Sequence, residues 1–124
     1  MATKSEQLRA VLEHLGSIGG IKASAVISSD GLPILPLMPE GVDPNTFAAM
    51  LASMVGSAET AIKALGAKNT LDRVVAESKD IRVIAVEAGS NAILTVMIDP
   101  STNYGLVLIE AKKASDQIAE IMKE

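Results

Sequence analysis

A chain of 124 residues, 48% apolar and 21% charged, has enough hydrophobic side chains for one sizeable core and too many of them to stay disordered. Eleven basic against fifteen acidic residues give a net charge of −4, and Lys112-Lys113 is the only adjacent basic pair. With Phe47 and Tyr104 the only aromatics, neither an electrostatic footprint nor a stacking platform for nucleic acid is expected.

Cysteine is absent, which excludes disulfides and thiolate metal sites. The opening MATKSEQLRA is polar where a signal peptide carries an apolar run, and no later run nears the roughly 20 apolar residues of a membrane span. A single domain, residues 1–124, cytoplasmic and without membrane insertion, is therefore the expectation.

In chain order, Thr3 and Glu6 fit a capping box, and Leu8, Val11, Leu12 and Leu15 follow at helical spacing, so a first helix should run to Gly16. Lys22 to Ser29 reads as a strand, Asp30-Gly31 as a two-residue hairpin turn and LPILPLM as the returning strand. Pro33 and Pro36 cannot donate backbone hydrogen bonds, which assigns that returning strand to a sheet edge. Asp43-Pro44 is a good N-cap and first-turn pair, and Phe47, Met50, Leu51, Met54, Ala58, Ala61 and Leu65 form an apolar stripe closed by Gly66.

Next come LDRVVAES, IRVIAVEA and AILTVMI, three strand-like runs joined by the short turns Lys79-Asp80 and Gly89-Ser90-Asn91, an antiparallel meander. Asp99-Pro100 ends that pattern. A third helix from about Asn103 places Leu108, Ala111, Ser115, Ile118 and Met122 on one stripe. The expected order is α-β-β-α-β-β-β-α, an α/β fold without repeat or linker.

Little in this chain can do chemistry. GSIGGIK departs from a phosphate-binding loop because Ile21 separates the last glycine from Lys22 and Ala23 follows it, so it reads as a flexible connection. His14 is the single imidazole, too few for a metal cluster and the only base that could serve Ser24, Ser28 or Ser29. The acidic residues are scattered singly, and Met50 and Met54 are expected to fill core. No enzyme activity, cofactor or metal is expected.

The second helix carries a different signal. Ala49, Ala52, Ser53, Gly56 and Thr60, away from the apolar stripe, bear neither charge nor bulk, and no charged residue lies between Asp43 and Glu59. A solvated helix face normally carries Lys and Glu, so this face suggests close approach of another helix or chain; an Ala-rich exposed face chosen for helix propensity is the alternative. The strands agree. Joining the hairpin to the meander with the proline strand at one edge places the first strand beside the last and leaves LDRVVAES, which has no proline, as the other edge. An unprotected edge is prone to pair, and two copies could do so about a twofold axis. The interface expected from these features comprises Leu71, Arg73, Val75 and Glu77 with Ala49, Ala52, Ser53, Gly56 and Thr60.

The element order, AVISSDGLPI as first hairpin, the helix from Asp43 to Gly66, the meander and NYGLVLIEAKKASDQIAEI, with Gly105 opening its helix, together resemble the Roadblock family over almost the whole chain. Its members include dynein light chains and regulators or scaffolds of small GTPases. The resemblance implies a three-layer α-β-α sandwich whose central five-stranded antiparallel sheet has one helix on one face and two on the other. It also implies a homodimer joined through the third strand and second helix, without an active site, that binds a Ras-like small GTPase. A structural light-chain or filament adaptor remains open beside that reading. A small-molecule sensor is disfavoured, because the inward stripes offer only Ser and Thr as polar groups.

Overall fold

The computed structural model describes residues 1–123. Its elements are α1 (Lys4–Gly16), β1 (Ile21–Ser28), β2 (Pro33–Leu37), α2 (Pro44–Ala64), β3 (Val74–Glu77), β4 (Arg82–Glu87), β5 (Ala92–Ile98) and α3 (Tyr104–Met122). All strand pairs are antiparallel, in the order β2-β1-β5-β4-β3. The proline strand thus forms one edge and β3 the other, with β1 beside β5.

Strand alternation divides the core between the two faces of the sheet. Val26, Ile84, Leu94 and Val96 meet α1 and α3 through Leu8, Leu12, Val107, Ala111 and Ile118. On the opposite face Ala25, Ile27, Ala85 and Ile93 meet α2 through Ala48, Leu51 and Val55. The result is a three-layer α-β-α sandwich with a five-stranded sheet.

The caps follow from local chemistry. Thr3 Oγ1 accepts from the Glu6 N–H at 3.1 Å while Glu6 Oε1 accepts from the Thr3 N–H at 2.8 Å, closing the capping box. Asp43 Oδ1 accepts from the Asn45 N–H at 3.2 Å, and Asn103 Oδ1 from the Leu106 N–H at 3.0 Å.

Four sequence expectations need correction. The first hairpin does not turn on two residues: the Ser28 N–H donates to the Leu32 carbonyl at 2.8 Å and the Gly31 N–H to the Ser28 carbonyl at 2.9 Å, giving a loop of Ser29, Asp30 and Gly31. A two-residue type I′ turn needs positive φ at both central positions, and only Gly31, at 92°, has it.

The third strand begins at Val74 rather than Leu71, because Leu71 packs into the α2-side cluster although its parity with Val75 would send it to the other face. Burying Leu71 therefore requires the chain to leave the pleat before Val74. The second helix buries Ala48, Leu51 and Val55, so Met50 is 60% exposed and Leu65 87% exposed instead of lining the core. In α3 the buried stripe is Val107, Ala111, Ala114, Ser115 and Ile118, rotated so that Leu108 and Met122 lie at its margin.

Candidate interaction surface

At β3 the phase of the ladder decides which backbone groups are free. The Ser78 N–H donates to the Ile81 carbonyl at 2.9 Å, and the register runs Glu77–Arg82, Ala76–Val83, Val75–Ile84, Val74–Ala85. Antiparallel pairs alternate between hydrogen-bonded and non-hydrogen-bonded, so Ala76 and Val74 exchange bonds with β4. Val75 and Glu77 then direct their N–H and C=O outward, and the Arg73 C=O, trans across the peptide to the inward Val74 N–H, points outward as well. Here the edge offers donors and acceptors; on β2, Pro33 and Pro36 lack the donor.

The side chains of these outward-bonding residues belong to the α1/α3 side. Val75 packs against that core, and Glu77 shares its parity. Glu77 Oε2 lies 3.0 Å from Arg82 Nε, yet the Nε makes no aligned hydrogen bond, so their contact is mainly electrostatic. The Arg82 guanidinium in turn sits 5.2 Å from the Tyr104 ring centroid, a cation–π contact that holds it at the sheet surface. A polar lane therefore runs from α3 across β4 to the free edge.

On the other face α2 has two unlike flanks. Gly31, in the β1–β2 loop, lies with its Cβ position 3.3 Å from Ala49 Cα and 3.7 Å from Ala52 Cβ. Further along, Glu87 at the end of β4 has its carboxyl pushed above the ordinary value, first by burial and second by Glu59, while Lys63 opposes the shift. Both contacts lie at the sheet end that carries the β1–β2 and β4–β5 loops. The opposite flank, Met50, Met54, Ser57 and Ala61, is an uncharged stripe at i, i+4, i+7 and i+11. At the other sheet end Val83, which packs against the α2-side core, is paired with Met97, and both are only half-buried.

The sequence-selected residues thus separate into groups. Val75 and Glu77 lie on the free edge, Arg73 just before it, and Leu71 is tucked toward α2. Ser53, Gly56 and Thr60 are exposed on the outer face of α2, whereas Ala49 and Ala52 are half-buried beside the β1–β2 loop. The Met50–Ala61 stripe was missed. Its signal was the exposed methionine, invisible while two overlapping apolar spacings compete in one helix.

Among the described residues, the other candidates of the sequence do not come together. His14 is exposed, Ser24 is buried in β1, and no group of three or more His, Asp or Glu among the described residues could hold a metal ion. A cleft of about 530 Å³ between residues 70–73 and α3 is bordered by Asp72, Arg73, Lys112 and Asp116, charges of both signs rather than a few polar groups in an apolar lining. No helix among the described residues is long and apolar enough to cross a membrane.

Comparison with known proteins now fixes the family. Residues 8–97 match the Roadblock/LC7 domain. The chain belongs to the Roadblock/LC7 family. Three uncharacterized proteins of Methanocaldococcus jannaschii are 36%, 35% and 34% identical over 108 residues, covering 87% of this chain and 93%, 93% and 90% of theirs. Among solved structures, MglB of Myxococcus xanthus is similar with a TM-score of 0.86 and 25% identity, over 93% of this chain and 94% of that one. The gliding protein MglB of Thermus thermophilus has the same fold, with a TM-score of 0.86 and 22% identity over 98% and 92% of the two chains.

Proposed function

We propose that this chain is a cytoplasmic, non-catalytic Roadblock adaptor, residues 1–124 forming one domain, that assembles as a homodimer and binds a Ras-like small GTPase, regulating its nucleotide cycle or placement. The family match over residues 8–97 carries this reading, because regulation and scaffolding of small GTPases are what Roadblock membership implies. The free β3 edge supports the dimer: an edge without proline or bulge is competent to pair, and pairing two copies would extend the sheet across a twofold axis. The uncharged Met50–Ala61 stripe supports a second contact surface on the α2 side.

The adaptor has no need of catalytic groups of its own. A GTPase that brings its own nucleotide and metal can be accelerated or held by positioning alone. The test is capture from a lysate of the source organism with tagged protein as bait, the lysate being loaded in parallel with GDP or a non-hydrolysable GTP analogue. Enrichment of a small GTPase in one nucleotide state is the expected outcome. Recovery of filament or motor subunits in both states, with no GTPase, would overturn the GTPase reading in favour of a structural adaptor.

A further inference from the structure

We propose that two copies pair through β3 with Val75 opposite Val75, which sets Arg73 of each copy against Glu77 of the other. This rests on the homodimer reading and goes beyond it by fixing the register and the charged contacts. Two adjacent antiparallel strands related by a twofold axis require that axis to stand perpendicular to the sheet. Such an axis preserves faces, and directly opposed residues point to the same face, so the numbers of any opposed pair must have an even sum. The outward bonding of Val75 and Glu77 imposes the same parity.

Charge selects among the registers that remain. Centring on Val74 sets Arg73 against Val75 and leaves both charged side chains unmatched. Centring on Ala76 opposes Arg73 to Lys79 and Asp72 to Asp80, twice each. Arg73 or Glu77 at the centre faces its own copy. Only Val75 at the centre opposes unlike charges, at two symmetric positions, and like charges directly opposite are destabilising.

That register completes the polar lane. The Glu77 side chain is 54% exposed and has Arg82 on its inner flank only, so a carboxylate with capacity to spare faces the edge. Arg73 of the second copy arrives on the open flank and extends Tyr104–Arg82–Glu77 across the axis.

The chain lacks cysteine, which permits a direct test. A hydrogen-bonded antiparallel pair holds its Cα atoms about 5.5 Å apart, within disulfide range. Val75→Cys is expected to cross-link to a covalent dimer under mild oxidant, and Val74→Cys and Ala76→Cys to remain largely uncoupled. Arg73→Glu and Glu77→Arg should each weaken self-association by about tenfold, and mixing the two variants should restore it as a heterodimer.

Sedimentation of the wild-type protein separates two kinds of failure. A monomer at tens of micromolar would overturn the dimer reading itself. A dimer that cross-links best at 74 or 76, or at none of the three, would overturn this register while leaving the dimer standing.

Discussion

The two edges of the sheet solve one problem in opposite ways. On β2, Pro33 and Pro36 remove donors, a register irregularity lies opposite between Val26 and Ile27, and the strand therefore terminates the sheet. On β3 neither device is present, and Val75 and Glu77 hold their backbone groups outward beside a half-exposed carboxylate. An edge left open in a chain whose other edge is blocked is a surface with a direction, and pairing of two copies through it would end at a dimer instead of a growing ribbon.

Proline substitutions break that contrast most sharply. Ala76 bonds inward to β4, so Ala76→Pro removes a ladder bond and should destabilise the monomer by on the order of 3 kcal/mol, read by thermal or urea unfolding. Val75 bonds outward, so Val75→Pro keeps the ladder to β4 and should cost the monomer less than Ala76→Pro, through the packing of a half-buried valine, while weakening the dimer roughly 30- to 100-fold, the loss of two symmetric bonds of about 1–1.5 kcal/mol each. Sedimentation equilibrium measures the second effect. An unaltered dimer constant for Val75→Pro would show that the edge is not the joint.

This contrast was legible in the sequence because proline acts locally. Two prolines in LPILPLM assigned one edge, and their absence from LDRVVAES assigned the other. The start of β3 was not legible, since it depends on Leu71 leaving the pleat to reach the α2-side core, a contact between segments far apart in the chain. The α2 stripe failed for a related reason. Ala48, Leu51 and Val55 bury at one set of helical spacings while Phe47, Met50 and Met54 follow another, and periodicity cannot rank two apolar arcs without the sheet they lie on. Met50, expected in the core, is one of the most exposed large hydrophobic residues as a result.

The two faces of α2 can be told apart by charge. Ala61 lies on the uncharged Met50–Ala61 stripe, and Gly56 on the outer face, where an added Cβ meets nothing within 4 Å. Ala61→Arg should weaken assembly or GTPase capture by about tenfold through burial of an unpaired charge, with monomer stability altered little. Gly56→Arg breaks or sharpens the assignment: equal loss would bring the outer face into the interface. Gly56→Ala gives a smaller readout. With no neighbour in the monomer and an ordinary helical backbone, it should stabilise the isolated chain by about 0.5–1 kcal/mol in unfolding experiments. A fall in dimer affinity on the same substitution would reveal a helix packed against that glycine in the assembly.

The smallest expected effect concerns protons. The blocked strand Pro33–Leu37 contains no titratable side chain, whereas the strand next to the open edge ends in Glu87, whose carboxyl is raised above 4.5 by burial and then by Glu59. A raised acid holds its proton more tightly in the folded than in the unfolded chain. Between the ordinary value and the raised one the native state therefore binds more protons, and stability falls as pH rises through that window. Glu87→Gln should flatten this part of the pH–stability curve, and Glu59→Gln should narrow the window by removing a repulsive neighbour. Lys63→Met should widen it, since Lys63 is the group that favours the charged form. A curve unchanged by Glu87→Gln would mean that the end of β4 is open to water in solution, and the α2 flank beside it would then lie farther from the sheet.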